Sequence, residues 1–312
     1  MLRHITEISD LSKEEFLEII SLGLEMKANP AAFKDALAGK TLLALFSKPS
    51  LRTRVSLETA MTKLGGHCIY YQLGAGAPLG VKESIEDTAK CVSRFVDIMS
   101  ARVQTRKMIT DLAANLTIPL VNALDDWAHP LQMLADFMLI REKFGTFEGL
   151  KFVYLGDSFN NVTYDLMRSC ALVGMDCAIG CPDDAQYTPP AEVIESVNEL
   201  NKVSGGKLLI THNAEEAVRG RHIIYADSWF SYGIPLEEKE RRVEALTPFR
   251  VTTKLMDLME PNAIFMNCLP AMRGYEQDAD VIDGPRSVVF DEAENRLWSA
   301  MACLLWQIRS SA

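Results

Sequence analysis

Ser50-Leu51-Arg52-Thr53-Arg54 sets two hydroxyls and two guanidiniums within five residues. That donor set suits an anion, because arginine offers a bidentate fork and Ser and Thr add neutral donors. The apolar run Leu42–Phe46 before it reads as a short buried strand, and Ser47–Ser50 are turn formers. Val55, Ala60 and Leu64 then recur at helical spacing until Gly65-Gly66. The hydroxyls and guanidiniums therefore fall where a strand's carboxyl end feeds a helix N-terminus. Free backbone N–H groups and the helix dipole favour phosphate there. The same string also fits an ordinary capped helix with solvated arginines.

Two further stretches carry candidate chemistry. In His129-Pro130-Leu131-Gln132 the residue before proline is held extended and Pro130 suits a first helical position. An imidazole and an amide thus lie at a helix start, able to hold a carbonyl oxygen and an NH2 group. A capping histidine with an exposed Gln132 is the plainer reading. Asn267-Cys268-Leu269-Pro270 closes an apolar strand, where freed backbone carbonyls could accept from an amide. Cys268 reads equally as a small buried apolar residue. No Ser-His-Asp order and no metal-ligand spacing stands out.

The elements that must position these residues alternate. Strands are expected at 41–46, 68–73, 97–102 and 120–123, with helices at 12–28, 52–64, 85–95 and 107–116. Gly74–Gly80 reads as a flexible loop. A helix over 131–144 ends at Gly145–Gly149, and a second alternation follows. Its strands are at 151–157, 175–179, 207–211, 222–227 and 263–267, with helices at 162–174, 192–203 and 214–218. A closing helix at 296–308 follows Glu294-Asn295-Arg296. The fold class is α/β, with two parallel sheets flanked by helices and joined by long helices. The expected domains are 1–145, with 296–310 packing back on it, and 150–293.

In such sheets ligands sit outside the carboxyl ends of the strands. The polar residues there fall into a cationic set, Ser50, Arg52, Thr53, Arg54, Arg102, His129 and Gln132, and a set with one carboxylate, Asn160, Asn161, Asp227, Ser231, Asn267 and Cys268. The first suits a phosphate-bearing ligand and the second an amine. The formal net charge of −10 argues against a broad nucleic-acid surface but permits a small basic pocket. Seven scattered cysteines with no C-x-x-C read as reduced thiols in the cytoplasm, and no stretch has the length of a membrane helix.

The ordered set of Ser50–Arg54, His129-Pro130-Leu131-Gln132 and Cys268-Leu269-Pro270 resembles the aspartate/ornithine carbamoyltransferase family over nearly the whole chain. The resemblance implies a carbamoyl phosphate domain and an amine domain, no metal or organic cofactor, and a homotrimer with sites between neighbouring subunits. It implies that Ser50, Leu51, Arg52 and Thr53 hold phosphate, and that Arg102, His129 and Gln132 hold the carbamoyl group. Cys268 and Leu269 contribute backbone contacts, and Arg296 contacts carbamoyl phosphate. Gly156-Asp157-x-x-Asn160-Asn161 and Asp227-x-Trp229-x-Ser231-x-Gly233 resemble the ornithine branch, where the matching Asn161, Asp227 and Ser231 bind the amino acid. Ile85-Glu86-Asp87-Thr88, Ser93-Arg94 and Leu269-Pro270-Ala271-x-Arg273-Gly274 resemble putrescine enzymes instead. The chain departs from the family at Asn267 (usually His), Tyr232 (usually Met, beside the acceptor) and Pro78 (usually Gln).

The expected reaction moves the carbamoyl group of carbamoyl phosphate to ornithine, giving citrulline and phosphate, with putrescine or another amine as the alternative acceptor. A non-catalytic carbamoyl phosphate-binding homologue is the reading from another class. A dinucleotide-binding protein is set aside for want of G-x-G-x-x-G after a strand.

Overall fold

The structure, a computed structural model, describes residues 2–74, 79–230 and 236–311. Pro78, Ser231, Tyr232 and Gly233 lie outside them. The chain divides into two compact units, one of Met1–Lys143 with Glu294–Ala312 and one of Phe144–Ala293.

The first unit holds strands β1 (Thr41–Phe46), β2 (His67–Gln72), β3 (Ile98–Arg102) and β4 (Leu120–Leu124), all parallel in the order β2-β1-β3-β4. β1 is apolar on both faces and buried from Leu42 onward, as an inner parallel strand must be. The order reverses between β1 and β3. Their last residues, Phe46 and Arg102, are register partners, and the Ser47 N–H donates to the Arg102 carbonyl at 2.8 Å. Arg102 and the turn into Ser50 therefore meet at the switch point of the sheet.

The helix Lys13–Ala28 begins at the reciprocal capping box of Ser12 and Glu15. It anchors the closing helix, since the Trp306 Nε1–H donates to Glu18 at 3.0 Å and Lys27 reaches Asn295 at 2.8 Å. That closing helix runs Val289–Ser310, not from residue 296. Asp291 and Glu292 form its acidic first turn, so Arg296 sits inside the helix rather than ahead of it.

The second unit holds β5 (Lys151–Leu155), β6 (Asp176–Gly180), β7 (Leu208–Thr211), β8 (Ile223–Tyr225) and β9 (Ile264–Met266), parallel in the order β7-β6-β5-β8-β9. The switch point lies between β5 and β8. Gly156-Asp157 leaves one strand there and Asp227 the other, because β8 stops at Tyr225 and not at Asp227. Phe265, Val153, Ile224 and Leu155 lead the core beneath. The helix Lys239–Leu246, with mean residue character too charged for an apolar stripe, was not expected. No helix among the described residues is long and apolar enough to cross a membrane. All seven cysteines are free thiols.

Replacing Ser12 with Ala removes one half of the capping box. It is expected to lower unfolding stability by about 1 kcal/mol in denaturant melts, with turnover unchanged.

Candidate active site

In the first unit the helix Leu51–Lys63 begins at Ser50, whose side chain makes no capping bond. The capped-helix alternative therefore does not hold for Ser50. The first helical bond runs from the Arg54 N–H to the Ser50 carbonyl at 3.2 Å, which leaves the amides of Leu51, Arg52 and Thr53 ahead of the ladder. The two arginines behave differently. Arg54 pairs with Glu58 at 2.8 Å and lies 3.8 Å over the Tyr70 ring, so it is spent on the helix surface. Arg52 is half-buried and has no hydrogen bond or ion pair among the described residues. A guanidinium without a partner among the described residues, beside three amides ahead of the helix ladder, suits an anion by charge and by geometry.

Thr53, His129, Gln132 and Arg296 form one buried cluster. One Arg296 nitrogen, Nη1, donates to Gln132 Oε1 and lies 3.5 Å from His129 Nε2. The other, Nη2, donates to Thr53 Oγ1 at 3.3 Å. Gln132 in turn donates from Nε2 to Asp136 Oδ1 at 2.7 Å, so both ends of its amide are engaged. Thr53 accepts from Arg296, which leaves its own O–H to donate. Burial first, then the charges of Arg296 and Arg102, hold the His129 imidazole well below its ordinary range. The ring is therefore neutral at pH 7, poised as a hydrogen-bonding group and not as an acid. Asp125 turns the chain into His129 by accepting the N–H groups of Trp127 and Ala128 at 2.8 and 2.7 Å, and burial pushes its carboxyl up to about 6. Arg102 is buried at the end of β3.

In the second unit Asp227 accepts the Cys268 thiol at 3.3 Å and the Ser228 N–H at 2.7 Å. Asn160 is consumed structurally. It caps the next helix through the Thr163 N–H at 2.9 Å and donates to the Asp157 carbonyl at 2.6 Å. Asn161, at the first helical position, is half-buried. Asp157 pairs with Arg242, whose Nε donates to the Trp229 carbonyl at 2.8 Å. The Trp229 N–H donates to Glu276 at 3.2 Å. The N–H and the C=O of Trp229, two residues after Asp227, are thus each held by a buried ionisable group. Burial raises the carboxyl of Glu276, and the nearby charge of Asp227 adds to it. Asn267, Cys268 and Leu269 follow β9, and Ser231 and Tyr232 are outside the described residues.

Sequence reasoning missed Asp136, Arg242, Glu276 and Glu292. Asp136 was findable, because Gln132 and Asp136 are one helical turn apart. The others find their partners only through the fold.

Two parallel units with polar groups gathered at each switch point define a two-domain α/β protein of the kind that binds a ligand at the carboxyl edge of each sheet. Comparison with known proteins narrows this class. The "Aspartate/ornithine carbamoyltransferase, carbamoyl-P binding domain" matches residues 3–142, and the "Aspartate/ornithine carbamoyltransferase, Asp/Orn binding domain" matches residues 148–307. The ornithine transcarbamoylase structure from Giardia lamblia superposes with a TM-score of 0.91 at 48% identity, covering 99% of this chain and 98% of that one. The ornithine carbamoyltransferase from Pyrococcus furiosus gives 0.92 at 42% identity, covering 97% and 96%. A Methanocaldococcus jannaschii ornithine carbamoyltransferase is 43% identical over 295 residues, 94% of this chain and 95% of that protein. The chain belongs to the aspartate/ornithine carbamoyltransferase family.

Because His129 is neutral in the folded protein but titrates near 6.5 when unfolded, only the unfolded chain takes up its proton on acidification. Its contribution lowers stability as pH falls below 6.5, by up to about 1.4 kcal/mol per pH unit. Replacing His129 with Gln, which cannot titrate, is expected to flatten the stability–pH curve between pH 5 and 6.5 by about that slope, read from urea melts.

Proposed function

We propose that this chain transfers the carbamoyl group of carbamoyl phosphate to the side-chain amine of ornithine, giving citrulline and phosphate. The observation that carries the reading is the buried cluster of Thr53, His129, Gln132 and Arg296 beside the open helix start at Arg52. The names of the relatives, ornithine carbamoyltransferases across the whole chain length, support ornithine over putrescine as the acceptor.

In this reading the uncharged amine attacks the carbamoyl carbon. A C–N bond forms as the C–O bond to phosphate breaks, and the departing phosphate takes the amine proton. Ser50, Arg52, Thr53 and the amides of Leu51, Arg52 and Thr53 absorb the charge growing on phosphate. Arg102 and the neutral imidazole of His129, with the Thr53 hydroxyl, polarise the carbonyl oxygen, an oxyanion-type stabilisation. A neutral imidazole serves here because two arginines already supply the charge. Gln132 and the Cys268 and Leu269 carbonyls orient the carbamoyl NH2. Arg296 acts on carbamoyl phosphate and holds Thr53 and Gln132 in place. Asn161 and Asp227 take the amino-acid end of ornithine, a role the family resemblance also gives to Ser231 and Tyr232, which lie outside the described residues. Much of the remaining acceleration is proximity.

The working form in this reading is a homotrimer in the cytoplasm. Association with further copies is supported by an edge strand, β2, that exposes Ile69 and Tyr71, on a unit whose helix Leu51–Lys63 exposes Leu51 and Val55. Such a concentration of exposed apolar side chains suits a second copy of the chain.

The test is turnover of carbamoyl phosphate with ornithine, putrescine and aspartate, scored as ureido product. Ornithine should be the preferred acceptor, and phosphate release that no amine stimulates would contradict the proposal. Arg52→Ala should lower kcat/KM for carbamoyl phosphate about 100- to 1000-fold, as loss of one preorganised charge donor does.

A further inference from the structure

We infer that Asn267 is a positioning residue, which fixes the peptide between Cys268 and Leu269 so that its carbonyl is presented in one orientation. The inference rests on the carbamoyl-transfer reading above, which gives these carbonyls the task of orienting the carbamoyl NH2. Asn267 is also one of the positions where the chain departs from the family pattern.

The geometry is a closed local ring. Strand β9 ends at Met266, and Asn267 follows it with no exposed surface. Its side-chain oxygen accepts the Leu269 N–H at 2.8 Å, an Asx turn across Cys268. A peptide unit is planar and trans, so its C=O points opposite to its N–H. Holding the Leu269 N–H therefore also sets the direction of the Cys268 carbonyl. Leu269 itself takes a φ of +57°, the left-handed region that a side-chain-bearing residue rarely adopts. An Asx bond to the amide of that residue is a local interaction able to select it.

The asparagine is in turn held from two sides. Its backbone N–H donates to Glu292 Oε2 at 2.9 Å, and Glu292 also accepts the Tyr225 hydroxyl at 3.1 Å. Its side-chain nitrogen donates to Gln277 Oε1 at 3.4 Å. Glu292 and Gln277 are both fully buried. The donor to Gln277 fixes which end of the Asn267 amide faces Leu269, so the oxygen is the end presented. Cys268, inside the ring, donates its thiol to Asp227 at 3.3 Å, which ties the same turn to the switch-point carboxylate. A side chain at 267 thus governs the Cys268 carbonyl without needing contact with substrate.

The test compares Asn267→Ala, Asn267→Asp and wild type in the full chain, by steady-state kinetics with carbamoyl phosphate and ornithine and by binding of inorganic phosphate. Alanine removes the acceptor, and kcat/KM for carbamoyl phosphate should fall about 100-fold, the cost of a misplaced positioning group. Inorganic phosphate should still bind within about 2-fold, because its donors lie in the other unit. Aspartate keeps an acceptor for the Leu269 N–H in either protonation state and should stay within about 10-fold of wild type. Should the alanine variant not fold, Asn267→Ser, with a shorter acceptor, should fall between aspartate and alanine. Turnover by the alanine or serine variant equal to wild type would overturn the inference, as would an aspartate variant as impaired as alanine with an unchanged melting temperature. A wild-type protein that makes no ureido product would instead overturn the functional reading on which the inference rests.

Discussion

A buried arginine, Arg296, is the constraint on which the first unit's chemistry depends. Removing a guanidinium from water is costly unless its donors are met with good geometry. Here the two Nη groups reach Thr53 from the helix Leu51–Lys63, and Gln132 and His129 from the start of the helix Pro130–Phe144. Two elements distant in sequence are drawn to one cation. The helix that carries Arg296 is fixed next to it, since Asn295 bridges Lys27 at 2.8 Å and Glu142 at 2.6 Å. Burial keeps His129 neutral, and the charges of Arg296 and Arg102 add to it.

Each sheet reverses its strand order once, and each reversal opens a crevice where neighbouring loops part to opposite faces. At one crevice the strands deliver Arg102 and the Ser50 turn; at the other they deliver Asp157, Asp227 and, one strand further, Asn267. The topology decides where ligands are met, and local chemistry decides which. An open helix start, with Arg52 unpaired among the described residues, suits an oxyanion. In the proposed function Asp227, with the backbone of Trp229 two residues on held by Arg242 and Glu276, meets the cationic end of the acceptor.

The sequence made much of this legible where the information is local. Strand β1, the helix start at Ser50 and the proline-led helix after His129 follow from apolar runs and from turn formers read in order. The grouping of Thr53, His129, Gln132 and Arg296 was reached through family resemblance, because no local rule links residues 243 positions apart. Arg54 shows the limit of counting charges. It stood beside Arg52 as an equal until the structure paired it with Glu58 and Tyr70. Arg242 and Glu276 were invisible because their partners, Asp157 and the Trp229 peptide, are brought to them only by the fold. The closing helix was expected from 296 but starts at Val289, and the acidic residues Asp291 and Glu292 in its first turn are themselves a helix signal.

The central claim is transfer of one carbon to one particular nitrogen. Carbamoyl phosphate labelled with carbon-13 and ornithine labelled with nitrogen-15 only at its side-chain amine, followed by NMR, test it directly. The account predicts a ureido carbon split by one-bond coupling to the labelled nitrogen. A labelled carbon recovered as bicarbonate, or in a ureido product without that coupling, would contradict it.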